Sequence, residues 1–219
     1  MSIKQKRIAD FLFGVQMICA VVLCGSFFFR ALQTVQGVSL SMFVGVEAFF
    51  ALNLLLALRA HATRPSRVTA QAVVAYAAWV VLAGSDVAAI FLNGGYRWSR
   101  NDTLTSLIVA AGSAVVISYA SVRRLPLSNP GIRGGLSVVA KALSQFFLAA
   151  KVVGEGGAGI PAASIIAGHI TGLIRLGQML FALRESSADR NRFWLVVTEI
   201  ANEASWVAVT VAWLLWLLK

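Results

Sequence analysis

Seven apolar stretches run along the chain, at 8–31, 38–58, 68–92, 104–122, 134–153, 160–183 and 193–218, separated by short polar runs marked with arginine. Each is close to the ~20 residues that a helix needs to cross the hydrocarbon of a bilayer. A backbone in lipid must satisfy its own hydrogen bonds, so the pattern predicts helices rather than open strands. Little sequence is left over for a domain outside the membrane, and any function must lie among the helices.

Composition agrees. Hydrophobic residues make up 58% of the 219 and charged residues 13%, and the mean hydropathy is +0.78. A soluble domain would carry about 25% charge. The net charge of +10 would suggest nucleic acid in a soluble protein. Here the basic residues sit at segment ends, where they act as topology signals and headgroup contacts. No basic stripe or aromatic platform accompanies them, so nucleic-acid binding is excluded. The run after Met1–Arg7 is longer than a signal-peptide core and is read as a retained first helix. Cys19 and Cys24 are read as free, buried residues on different faces of that helix.

The basic residues also predict orientation. Lys4, Lys6, Arg7, Arg59, Arg64, Arg67, Arg123, Arg124, Arg133, Arg184, Arg190 and Arg192 would share one side of the membrane. Arg30, Arg97, Arg100, Lys151 and Lys219 would share the other. The bias places the N-terminus in the cytoplasm, with a bacterial inner (plasma) membrane as the expected location.

The halves of the chain repeat. Leu23-Cys24-Gly25-Ser26-Phe27 aligns with Leu143-Ser144-Gln145-Phe146-Phe147, Gly37-Val38-Ser39 with Gly159-Ile160-Pro161, and Leu58-Arg59 with Leu183-Arg184. Trp79 in the third segment then matches Trp206 in the seventh. The fourth segment lies between the triplets, and this odd helix makes the repeats parallel, related by an axis along the membrane normal. The expected fold is an all-α integral membrane protein of seven transmembrane helices arranged 3+1+3. Residues 1–95 would form the first bundle, 96–133 the linker helix and connector, and 134–219 the second bundle. Arg123–Gly135, with Pro126, Pro130 and three glycines, reads as the flexible boundary between halves.

In this layout, and in Ser144-Gln145 followed by Lys151 and Gly159-Ile160, the chain resembles the PQ-loop superfamily, which includes the SWEET and SemiSWEET sugar transporters. The first copy keeps Gly37-Val38-Ser39 with Cys24-Gly25 at the Pro-Gln position, and neither copy carries the proline. The resemblance implies a transporter that passes a small solute between two triple-helix bundles.

Polar residues inside the segments are few. A charge near the bilayer centre costs about 3 kcal/mol, so each needs a partner, a cavity or a proton. Glu199, Asn202, Glu203, Trp206, Thr210 and Trp213 share one face of the seventh segment, and Tyr76, Trp79, Ala83 and Asp86 share one face of the third. These faces must look into the protein. Asn202 would hydrogen-bond a polar solute while Trp206 and Trp79 stack on it; the resemblance supports this, because SWEET-like pockets use an Asn and a Trp here. Ala75 stands where a second Asn would make the pocket symmetric, and Tyr76 is the substitute polar group. Glu47 and His169 occupy equivalent repeat positions and are candidates for a titratable pair. Together with Glu203 and Asp86 they are the groups available to carry a coupling proton. The structural alternative pairs Glu203 or Glu199 with Arg175 or Lys141 to fix helix packing.

Other signals are weaker. Gly168 and Gly172 read as a helix-packing pair, and Trp98, Tyr96, Trp213 and Trp216 as interfacial anchors. Gly154–Gly159 lacks the strand-to-helix context of a phosphate loop. His61 and His169 lie in different elements, so neither a metal cluster nor a catalytic triad is indicated. No cofactor, metal or enzymatic activity is expected. The partners expected are a small-molecule solute and membrane lipids, and the small-residue faces allow a homodimer. The alternative function is a receptor or assembly factor that binds a lipid or protein without transport, and after that a membrane-embedded lipid enzyme. An aromatic face with an Asn suits a sugar or nucleoside, whereas the buried charges suit a zwitterion.

Overall fold

A computed structural model describes the backbone of residues 3–185 and 190–219, and the side chains of 7–180 and 193–219. The side chains of Lys4, Lys6, Arg184, Arg190 and Arg192, which enter the orientation count, lie outside the described residues. The described residues form seven helical segments and no strands: α1 (Ile3–Gln33), α2 (Leu40–Thr63), α3 (Arg67–Asn93), α4 (Arg100–Val122), α5 (Pro130–Glu155), α6 (Ala162–Glu185) and α7 (Arg190–Leu217). Six of them, all but α6, are long and apolar enough to cross a membrane. Large apolar side chains such as Phe11, Val81, Val115 and Leu173 project outward rather than into a core. That is the inversion expected when lipid is the solvent, and the chain is an integral membrane protein.

Local chemistry sets the helix starts. The Ser39 side chain accepts from Met42 N at the start of α2. Ser66 with Thr69, and Ser99 with Asp102, form capping boxes at α3 and α4. The second box starts α4 four residues before the apolar run, bringing Asp102 inside the helix. The connector before α5 is likewise shorter than Arg123–Gly135 suggested. Asn129 accepts from Gly131 N and Ile132 N, and Pro130 occupies the first turn, where its fixed φ and missing N–H are harmless. Gly131, Gly134 and Gly135 are therefore helical. A Cβ at Gly134 would lie 2.8 Å from Thr198 Oγ1 of α7, and one at Gly135 would lie 3.3 Å from Val116 of α4. Close packing outweighs the poor helix propensity of glycine at these positions.

Helix α3 packs along α1 and α2, and α7 packs along α5 and α6. Across the middle, α1 lies against α6 and α2 against α5, while α4 rests on α2 and α5. Within their most apolar windows α5 is 67% buried and α4 11%, so α5 is central and α4 peripheral. The α1–α2 and α5–α6 turns pack on one another. Gly159 N donates to Gln36 O at 3.0 Å, and Gln36 Nε2 to Glu155 O at 2.7 Å. Gly37, at φ +74°, sits so close that a Cβ would fall 1.8 Å from Gly156 O. Only glycine serves both that backbone conformation and that contact.

Candidate functional site

The central α5 is irregular. Residues Val138–Leu143 form a wider, π-type turn before the helix resumes at Ser144. Such turns re-aim side chains and are common at functional sites. This one carries Lys141 and is followed by Gln145, and both reach a cavity of about 100 Å³ at the centre of the bundle. Residues from α1, α2, α3, α5, α6 and α7 line it. Its walls are mostly apolar and aromatic, with Phe27, Phe43, Phe50, Trp79 and Trp206 prominent. Trp79 is held flat against Phe50, with ring centroids 4.9 Å apart and planes 22° from parallel. Trp206 is seated over α6 because Gly168 has no side chain; a Cβ there would be 2.9 Å from the indole. Gly168 and Gly172 of α6 thus do pack helices, and in doing so shape the cavity.

Five of the ten residues expected at a site line this cavity: Asn202, Trp206, Trp79, Asp86 and Arg175. Asp86 is 0% exposed, and neither of its carboxyl oxygens accepts from an N–H or O–H donor, with the Cys24 thiol as its polar neighbour. The Asn202 carbonyl oxygen is also buried without a partner. Lys141 is 8% exposed, and its ammonium lies 6.0 Å from the Phe49 ring centre. No carboxylate lies within 4.0 Å of it among the described residues. Arg175 differs, since Glu199 stands 3.9 Å away.

The other expected residues are engaged elsewhere. Tyr76 is not in the cavity wall; its hydroxyl accepts from Arg133 Nη2 at 3.0 Å, while Arg133 Nε donates to Asn53 Oδ1 at 2.9 Å. This bridge ties α5 to α2 and α3. Arg133, which reads in the sequence as a topology signal, is one of its members. Glu47 does not pair with His169. Its carboxyl lies against Gly84 of α3, and one oxygen is buried without a partner. His169 instead pairs with Glu203 through Nδ1, and its Nε2 lies 2.8 Å from Thr210 Oγ1. The reason is the two-turn spacing of Glu203 and Thr210 along α7, which brackets the imidazole from both sides. Thr210 donates its own proton to Trp206 O at 2.9 Å. Its oxygen is then placed to accept from His169 Nε2–H, with Nδ1 facing Glu203. The second Glu203 oxygen is buried without a partner against Gly172. Of the structural pairings considered, Glu199 with Arg175 is present.

A second polar cluster lies toward the end of the bundle that carries the α1–α2, α3–α4 and α5–α6 turns. Lys151 Nζ donates to Asp102 Oδ2 at 2.6 Å, and these side chains are 2% and 0% exposed. Ser39 Oγ and Ser41 Oγ donate to Asp102 Oδ1, and Ser99 Oγ donates to Oδ2. The Tyr96 hydroxyl accepts from Leu40 N and Lys151 Nζ. Burial first, and then the neighbouring Asp102 carboxylate, pushes the Tyr96 phenol above the usual tyrosine range. Lys151 is thus not a free topology charge, and Tyr96 is not an interfacial anchor. Sequence reading missed Asp102 because it lies just outside the apolar run; the Ser99–Asp102 spacing was the available signal. Trp213 turns inward to donate to Ile160 O at 3.0 Å, whereas Trp98 remains 56% exposed.

Among the described residues no group of three His, Cys, Asp or Glu side chains is placed to hold a metal ion. No family model, no curated protein and no solved structure matches the chain.

Proposed function

We propose that this protein is a transporter that moves a small polar solute through the central cavity, between two parallel triple-helix bundles joined by α4. The observation that carries the reading is the cavity. It is walled by all six bundle helices, and among aromatic rings it holds the Asp86 carboxyl, the Asn202 carboxamide oxygen and the amine of Lys141, which has no ion-pair partner within 4.0 Å among the described residues. Such groups are costly in a membrane unless they meet a solute, water or a proton.

The helix packing supports the 3+1+3 arrangement. In each triplet the third helix packs on the other two, and the contacts of α1 with α6 and α2 with α5 exchange under the proposed repeat. The contact between the Gly37 and Gly159 turns is the one expected if a two-fold axis runs between them. The resemblance to the PQ-loop superfamily points the same way. The π-type turn immediately before Ser144-Gln145 supplies a bend where that family has proline. The basic-residue bias orients the protein with its N-terminus in the cytoplasm.

The test is flux in proteoliposomes. Asn202→Ala and Trp206→Ala should each lower uptake at least about tenfold, ~1.4 kcal/mol of lost recognition, while the protein still folds. Unchanged flux in both would remove the cavity from the pathway. Retained binding with no flux in the unmodified protein would instead make it a receptor.

A further inference from the structure

We infer that the solute of this cavity is a small zwitterion, with its cationic group held by Asp86 and its anionic group by Lys141. The inference rests on the central-cavity reading above and adds the charge pattern of the occupant. Three charged residues line the cavity: Asp86 on α3, Lys141 on α5 and Arg175 on α6. Glu199 answers Arg175. One negative and one positive group remain, Asp86 and Lys141, on walls contributed by opposite triplets. They do not approach within 4.0 Å of one another.

An uncharged solute would leave both charges uncompensated in a largely apolar wall. A simple anion would compensate only Lys141, and a simple cation only Asp86. A molecule that bears both charges compensates both at once, which is the condition for burying charge in an apolar setting. The remaining recognition fits. The unpartnered Asn202 carboxamide oxygen can accept from an ammonium, and the faces of Trp79 and Trp206 attract an ammonium, including a methylated one. The cavity volume of about 100 Å³ selects small members of the class.

The experiment uses the full chain in lipid nanodiscs and in proteoliposomes. Calorimetric binding and flux are measured for glycine, β-alanine, 4-aminobutanoate and glycine betaine, beside propylamine, propanoate and glycerol. At least one zwitterion should bind, and the single-charge and neutral compounds should bind at least about tenfold more weakly. Asp86→Asn should reverse the preference toward propanoate, and Lys141→Gln toward propylamine; misfolding would not produce opposite reversals. The inference is overturned if no zwitterion binds, if glycerol binds as well as the best zwitterion, or if zwitterion binding survives both substitutions unchanged. Glycerol flux without zwitterion binding would sink this inference and leave the transporter reading standing. Zwitterion binding without flux would support the inference and sink the transporter reading.

Discussion

Two pairs of buried charge divide this molecule. Near one end, Lys151 and Asp102 meet directly, and the remaining acceptor positions of Asp102 are filled by Ser39, Ser41 and Ser99. At the centre, Asp86 and Lys141 are also buried but meet neither each other nor another described charge. Burial is therefore not what distinguishes a functional charge here. Saturation is. A carboxylate whose lone pairs are filled from two helices and two turns has become part of the scaffold. One left open in a cavity is available to something that arrives later. The same contrast holds for the two cations of the cavity, of which Arg175 has Glu199 and Lys141 has no described partner.

The largest expected effect breaks the saturated pair. Asp102→Asn or Lys151→Met leaves the partner charge buried alone, and each should cost about 3–5 kcal/mol of stability. The double replacement Asp102→Leu with Lys151→Met should recover most of that loss, because an apolar pair of similar volume removes both desolvation penalties. Thermal unfolding in nanodiscs checks this. Single replacements that unfold within a degree or two of the parent would show that the pair is not structural, and the contrast with the centre would lose its basis.

How much of this was legible beforehand follows from the same physics. Apolar length points to a transmembrane helix, because lipid leaves the backbone no other option; all seven segments are helical within a few residues of their predicted ends, and six are long and apolar enough to cross a membrane. The faces were legible too. The spacing of Asn202 and Trp206, and of Trp79 and Asp86, brought these four residues to one cavity. Partners were not legible, because pairing depends on rotation and register between helices. His169 took Glu203 rather than Glu47 because α6 packs on α7, with Gly172 allowing the close approach. Tyr76, one turn from Trp79, was drawn off by Arg133, whose place at the start of α5 depended on Pro130 and Asn129. Lys141 reaches the cavity from within the π-type turn, an irregularity that helical periodicity does not encode.

A smaller effect of opposite sign is expected at the centre. Asp86→Asn removes an unsatisfied buried carboxylate and should raise stability by about 0.5–2 kcal/mol while abolishing zwitterion binding. This exchange of stability for function is the mark of a group retained for a ligand. A loss of stability comparable to that of Asp102→Asn would mean that Asp86 has a structural partner, and would erase the distinction between the two regions.

The smallest effect calibrates the scale. Asp10 and Arg67 form an ion pair between α1 and α3, and Gln71 Nε2 donates to Asp10 Oδ1 at 3.0 Å. The side chains are 35% and 63% exposed, so water already screens both charges. Asp10→Asn should cost at most about 1 kcal/mol, and less at high salt. The geometry of this pair is as direct as that of Lys151 with Asp102, so the difference between the two substitutions isolates the contribution of burial. A cost of 3 kcal/mol or more here would mean that contact alone sets the energy of an ion pair in this bundle. The openness of Asp86 would then owe nothing to its buried position, and its claim to a ligand would rest on the cavity alone.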